Sequence, residues 1–191
     1  QSSQQVSNSP LIAGNIAHIP IKGIGTKCWC GNVDCLYTYA AGELLPMHYL
    51  KMLEKQKDKN FDSPLKGLAQ KDITAKLLME ASAKGDPLAR NVFDLATIAI
   101  SKALAMIINL INPEVIVIGG SVANASADLV KKIEDLTKGQ LMYQDSKSTT
   151  IVQSKFQNAA IIGAFHNIYS MVKSQQGKQL GKAMKKISKR T

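Results

Sequence analysis

Arginine is nearly missing from this chain, with two residues against twenty-two lysines. That speaks against a nucleic-acid surface built on bidentate guanidinium forks. Cysteine is also scarce. There are three, an odd number, and all lie between Cys28 and Cys35. A secreted scaffold stapled by disulfides is therefore not expected. Clustered thiols point instead to a metal site in a reducing, cytoplasmic compartment. Gln1 to Pro10 is polar and holds no signal-peptide pattern. The first residue is not methionine, so a processed, trimmed or partial start is expected. An uncharged membrane span is lacking as well. The apolar stretch Leu88 to Ile111 contains Arg90, Asp94 and Lys102, which are costly at mid-bilayer. It reads as a buried helix, and no membrane partner is expected. Acidic residues are absent from Lys173 to Thr191.

That last absence explains the charge. The net charge is +10, and seven of these charges sit after Val172. Residues 1–172 are thus only mildly basic, and 173–191 is expected to be a solvated, frayed basic tail. A chain of 191 residues with 45% hydrophobic content can bury a core without staples. One domain over 1–172 is the natural reading. No internal repeat or linker divides it.

Along the chain, residues 11–24 read as short strands and turns around Gly14, Gly23 and Gly25. Residues 43–58 read as a lysine-rich helix, and 59–70 as a loop with Pro64 and Gly67. Asp72 is a candidate N-cap for a helix to Lys84, with Ile73, Leu77 and Ala81 on one face and Gly85 as its stop. Asp86-Pro87 starts the next helix, and Asn112-Pro113 ends it. Its apolar residues run nearly all round, so it should be central to the core. Glu114 to Ile118 (EVIVI) is expected to be a strand buried on both faces. A helix from about Ala127 to Lys138, a strand Thr149 to Val152 and a helix Asn158 to Val172 complete the pattern. Ala159, Ala160, Gly163 and Ala164 suggest closely packed faces for the last helix. Strands alternating with helices predict an α/β domain with parallel pairing.

The most specific chemistry is the spacing His18-x9-Cys28-x-Cys30-x4-Cys35. Three thiolates and an imidazole form an established structural zinc set, and soft sulfur donors favour zinc over magnesium or calcium. Gly31 and Asn32 suit the tip of a knuckle over 18–35. Buried but unligated cysteines are the bland alternative; three within eight residues around a glycine weigh against it. No fifth ligand lies nearby, so the ion should pin the loop rather than perform chemistry.

A second signal is Gly119-Gly120-Ser121, which directly follows the EVIVI strand. Glycine there lets a nucleotide approach the backbone, and a following helix offers free N–H groups to phosphate. A tight packing turn explains the same residues, and the segment is neither a Walker loop nor GxGxxG.

With both motifs in order, the chain resembles the ROK family (repressors, open reading frames and sugar kinases). The family's Gly-Glu-x-Gly-His segment is matched by Gly14-Asn15-Ile16-Ala17-His18. Its Cys-x-Cys-Gly-x-x-Gly-Cys-Leu-Glu segment is matched by Cys28-Trp29-Cys30-Gly31-Asn32-Val33-Asp34-Cys35-Leu36-Tyr37. Asn112 to Gly120 (NPEVIVIGG) looks like its adenosine motif, Lys84-Gly85-Asp86 like a helix junction, and Ala159 to Ala164 like its last core helix. The likeness runs from about residue 8 to 172.

The resemblance implies the C-terminal lobe of an actin-like sugar kinase with an RNase-H-like core, glucokinase-like in type. It implies ATP and Mg²⁺ in an interlobe cleft, with Gly119, Gly120 and Ser121 near the nucleotide. It implies a structural Zn²⁺ bracing the loop that meets the sugar, with Asn15 and His18 facing a hexose or N-acylhexosamine. A homodimer is also implied. The family's Asp-x-Gly-x-Thr phosphate loop and catalytic aspartate have no counterpart in these 191 residues, so no catalytic residue is assigned here. Asn15 and Tyr37 stand where the family has glutamates, and Ala17 where it has glycine. An amide offers one acceptor and one donor where a carboxylate offers only acceptors. The first function expected is part of an ATP-dependent hexose kinase. The second is a sugar-responsive regulator or a non-catalytic sugar-binding relative. A nucleic-acid partner is expected only if a helix-turn-helix lies upstream. A zinc module binding nucleic acid through the lysine tail ranks last.

Overall fold

The computed structural model describes residues 14–21, 23–56, 63–120, 123, 127–143, 148–156 and 158–187. Its elements are α1 (Leu36–Ala40), α2 (Leu45–Glu54), α3 (Ala75–Ala83), α4 (Pro87–Ile111), β1 (Val115–Ile118), α5 (Ala127–Gly139), β2 (Thr150–Gln153) and α6 (Ala159–Ile187). Short 3₁₀ turns cover Ile16–His18 and Gln70–Asp72.

Helix α4 organises the molecule. Asp86 caps it, accepting from the N–H groups of Leu88 at 2.8 Å and Ala89 at 3.1 Å. The other carboxylate oxygen accepts from the hydroxyls of Tyr49 at 2.8 Å and Ser63 at 3.0 Å, so this buried charge is fully bonded. Pro87 follows, where a missing N–H costs nothing. The helix ends on Asn112 in the left-handed region, φ 41°, whose N–H reaches the Ile108 carbonyl. By length and composition α4 could cross a membrane. Here it packs on protein instead. Leu88, Ala89, Val92, Phe93 and Ala96 meet the apolar faces of α2 and α3. Ala99 and Ala103 meet Ile21, Leu36 and Tyr39. Leu104, Ala105 and Ile108 meet α5 and the sheet. Thr97 and Ser101 are buried among these residues because their hydroxyls donate to the Phe93 and Ile98 carbonyls.

β1 and β2 pair in parallel, Val115 opposite Thr150 and Ile118 opposite Gln153, with α5 in the crossover. This is the expected α/β pattern. α5 buries Val130, Ile133 and Thr137, and carries its ion pairs on the outer side. Lys132 ties it to Asp94 of α4 at 2.6 Å.

Several expectations are corrected. β1 is not buried on both faces. Ile116 and Ile118 turn toward the α4–α5 cluster, whereas Val115 and Val117 are 53% and 60% exposed. Among the described residues β2 is its sole strand neighbour. The run reads as buried because its side chains are all apolar, but composition alone does not supply a second covering layer. Asp72 is not a cap. It closes a 3₁₀ turn, and Thr74 caps α3 by accepting from Leu77 N–H at 3.1 Å. Ile73 is buried from the segment before α3, while Leu78 and Ala81 are that helix's buried residues. The 43–58 helix is shorter, Leu45–Glu54, and is preceded by α1. Residues 14–24 form a 3₁₀ turn and an isolated bridge, Pro20 to Cys35, rather than a regular strand among those described. α6 does not stop at Val172 but runs on to Ile187 through the basic segment, and residues 161–174 are exposed rather than closely packed.

Candidate metal centre

The knuckle is assembled by backbone turns before any side chain acts. Asn15 Oδ1 accepts from Ala17 N–H at 3.2 Å and starts the 3₁₀ turn that ends on His18. Leu36 N–H then bonds the Ile19 carbonyl, Ile21 N–H the Asp34 carbonyl, and Asp34 N–H the Thr26 carbonyl. Cys28 N–H bonds Asn32 O at 2.8 Å, and Gly31 N–H bonds Cys28 O at 3.1 Å. Gly31 has φ 93°, the left-handed turn that this tip requires. Cys35 is the residue preceding α1, where its carbonyl accepts from the Thr38 hydroxyl.

The result brings all four sequence-derived ligands together. The donor atoms of His18, Cys28, Cys30 and Cys35 lie within 4.8 Å of one another. Cys28 Sγ is 3.6 Å from His18 Nδ1, and Cys30 Sγ is 3.5 Å from Cys35 Sγ. A tetrahedral zinc with ordinary bond lengths places sulfur about 3.8 Å from sulfur and about 3.6 Å from nitrogen. The sulfurs are free thiols, since a disulfide would require about 2.05 Å. The donor set and its spacing therefore fit one four-coordinate soft ion. Burial pushes the Cys35 thiol up to about 12, and hydrogen bonds and charge from Cys28 and Cys30 push the same way. Cys30 is drawn down, chiefly by the Asn32 backbone N–H. A cation among the three sulfurs would stabilise the thiolates that crowding otherwise opposes.

Residues outside the ligand set complete the site. Trp29 is 75% exposed, its ring edge-on to His18 at 4.9 Å and to Tyr37 at 6.4 Å. Tyr37 donates to the Glu43 carboxylate, and that bond raises the phenol above its usual range. Glu43 lines an open groove with Pro46, Gln70, Lys71, Ile73 and Thr74. Asp34, at φ 57°, accepts from the Gly23, Gly25 and Thr26 amides and from the Tyr39 hydroxyl. Burial raises this carboxyl, but the Tyr39 hydroxyl and the three amides outweigh it and hold the group below the usual carboxylate range. Reasoning on ligand spacing passes over Asp34, Tyr39 and Glu43. The available signal for Asp34 is an aspartate in a glycine-rich loop, a residue type that bonds nearby backbone amides.

The di-glycine lies elsewhere. Gly119 and Gly120 end β1, and Gly120 has φ 114°. A side chain at Gly119 would come within 3.4 Å of Ser154 Cβ, and Ser154 N–H bonds the Ile118 carbonyl at 2.8 Å. Close packing thus accounts for Gly119. Ser121 falls outside the described residues. The knuckle packs on Ala99 and Ala103, and the strand bearing the di-glycine packs near Leu104 and Ile108, so α4 carries both.

Comparison with known proteins agrees with this construction. The chain is 33% identical over 152 residues to the DNA-binding transcriptional dual regulator NagC of Escherichia coli, which covers 80% of this chain and 36% of the relative. It is 27% identical over 154 residues to a glucokinase of Thermotoga maritima, covering 80% and 48%. Its fold matches a ROK family glucokinase from Streptomyces griseus, solved with glucose and AMPPNP, at a TM-score of 0.67 and 24% identity, covering 80% and 50%. The chain therefore spans only about a third to a half of these proteins. The ROK family model matches residues 9–169, from just before the knuckle through the sheet and into α6, and the chain belongs to the ROK family.

Proposed function

We propose that this chain is the zinc-braced, sugar-facing part of a cytoplasmic ROK protein that recognises a hexose or an N-acylhexosamine. The observation carrying this reading is the approach of four donor atoms, from His18, Cys28, Cys30 and Cys35, to within 4.8 Å. A zinc held by four protein ligands has no open position, so its task is to pin residues 18–35 rather than activate water. With Nδ1 of His18 toward the metal, Nε2 is the nitrogen left for a sugar hydroxyl. Asn15 sits on the same 3₁₀ turn, and Tyr37 with Glu43 adds a hydroxyl and a carboxylate beside it. Polar groups of this kind, next to an exposed indole, suit a polyhydroxylated ring.

The first completion is a glucokinase-like hexose kinase. Gly119, Gly120 and Ser121 would then border ATP, with Mg²⁺ and the groups that act on the sugar hydroxyl supplied by the rest of the polypeptide. Phosphoryl transfer depends on positioned phosphates, metal and nucleophile, and none of these is assigned to this chain. The second completion is a sugar-responsive transcriptional regulator. Its specific support is the 33% identity to NagC, together with Asn15 and Tyr37 at positions where the family pattern has glutamates. Either completion gives a role to the apolar side chains that α6 and β1 expose. They would pack on the remainder of a ROK polypeptide or on a second copy in a homodimer.

Titration calorimetry of the zinc-loaded chain with glucose and with N-acetylglucosamine tests the common reading. Saturable binding that strengthens in Asn15→Glu is expected. No heat from either sugar, with metal content intact, would sink it. On a longer polypeptide, hexose-dependent ADP release marks the kinase and sugar-dependent release from DNA marks the regulator.

A further inference from the structure

The zinc reading leaves one charged residue of the knuckle without a role. Asp34 lies between the ligands Cys30 and Cys35 but points away from the metal. Its φ of 57° is one of two positive values among described non-glycine residues. The left-handed region costs an ordinary L-residue about 1 kcal/mol, and the ROK pattern quoted above places glycine here. An aspartate at this position therefore calls for a compensating gain, and the hydrogen bonds supply one.

One carboxylate oxygen accepts from Thr26 N–H at 2.8 Å and from the Tyr39 hydroxyl. The other accepts from Gly23 N–H at 3.2 Å and Gly25 N–H at 3.1 Å. The backbone of Asp34 adds two more bonds, to the Thr26 carbonyl and from Ile21 N–H. Isolated bridges flank it, Pro20 to Cys35 and Lys27 to Val33. Tyr39 in turn accepts from Ile24 N–H at 2.9 Å. A side chain at Gly23 would lie 2.2 Å from the Tyr39 hydroxyl, so the turn closes onto the ring only as glycine. Residues 21–26 are thereby fixed against the segment that carries Cys35, and Cys28 follows two residues later.

We propose that Asp34 is the positioning residue of the knuckle. Through the 23–26 turn and Tyr39 it preassembles the loop, so that Cys28, Cys30 and Cys35 meet the ion already converged. This rests on the zinc reading, because it assigns Asp34 a part in metal affinity. The competing explanation is local: position 34 needs only a residue that tolerates positive φ, and aspartate is one.

Asp34→Gly separates the two. It relieves the backbone conformation and removes the acceptors. Asp34→Asn keeps the shape but can turn an NH₂ toward the Gly23 and Gly25 amides. Zinc affinity of the reduced chain is measured by competition with a chromophoric chelator. The rate of tryptic cleavage after the exposed Lys27 is measured with all metal removed. Both variants should bind zinc about tenfold more weakly and be cleaved several-fold faster after Lys27, with helical content unchanged. Tyr39→Phe should fall between them and wild type, and it carries the test if either Asp34 variant loses helical content. Asp34→Gly binding zinc as tightly as wild type, with unchanged cleavage, would overturn the proposal and leave the zinc reading standing. A wild-type chain that takes up no zinc would instead remove the zinc reading. The metal-free cleavage rates would then still decide whether Asp34 orders the loop.

Discussion

Residues 14–41 hold together through backbone turns, a four-donor carboxylate and a ligand cluster, whereas β1 and α6 turn valine, isoleucine and phenylalanine toward solvent. Around the knuckle the polar network is dense: Asp34 meets four donors, and the ligand atoms converge on one point. At the other end, Ile161, Phe165 and Ile168 are each at least 63% exposed, and so are Leu110 and Ile111. Apolar residues at 161, 165, 168 and 172 recur at helical spacing, the pattern of a face meant for burial. The two regions differ in what they need. The knuckle needs an ion, which a polypeptide this size can hold alone. The α6 end needs apolar surface that these residues do not provide.

The comparison can be broken by substitution. The largest effect is expected from Ile108→Ala. This side chain is 1% exposed in the cluster that joins α4, α5 and the sheet, and truncation there should cost about 3 kcal/mol, from the usual range for such cavities. Urea unfolding monitored by circular dichroism measures it. Cys30→Ser comes next. It should abolish stoichiometric metal and lower the melting temperature by roughly 5–10 °C, a few kcal/mol for a domain this size. Unchanged melting would mean that the ion is not structural. Gly23→Ala should cost about 1–3 kcal/mol, because the added methyl must displace the Tyr39 ring. Its signature is faster proteolysis confined to the knuckle. The smallest effect is expected from Phe165→Ser. With the side chain 70% exposed, the chain alone should change by no more than about 0.5 kcal/mol. A large loss there would show that α6 is already packed and erase the contrast drawn above.

Much of this was legible from residues, and the misses have physical causes. α4 was readable because Asp86-Pro87 and Asn112-Pro113 punctuate both ends of a periodic apolar run. The four ligands were readable because their chemistry depends on residue type and spacing. α1 was not, since five residues starting inside the cysteine motif carry too little periodicity. Asp72 and Thr74 are both cap-forming residues, and only the backbone decides between them. The length of α6 was misjudged because a lysine-rich stretch looks like a solvated tail, although lysine is a good helix former. The exposure of Val115 and Val117 could not be read at all, because burial depends on what lies opposite.

The claim on which the rest depends is one ion per chain, held by three thiolates and an imidazole. Elemental analysis of the reduced protein, paired with cobalt substitution, tests it directly. The account predicts one zinc per chain, and a cobalt form with thiolate charge-transfer bands and the intense visible bands of a tetrahedral site. Metal well below one per chain, or a cobalt spectrum unchanged in Cys30→Ser, would contradict it.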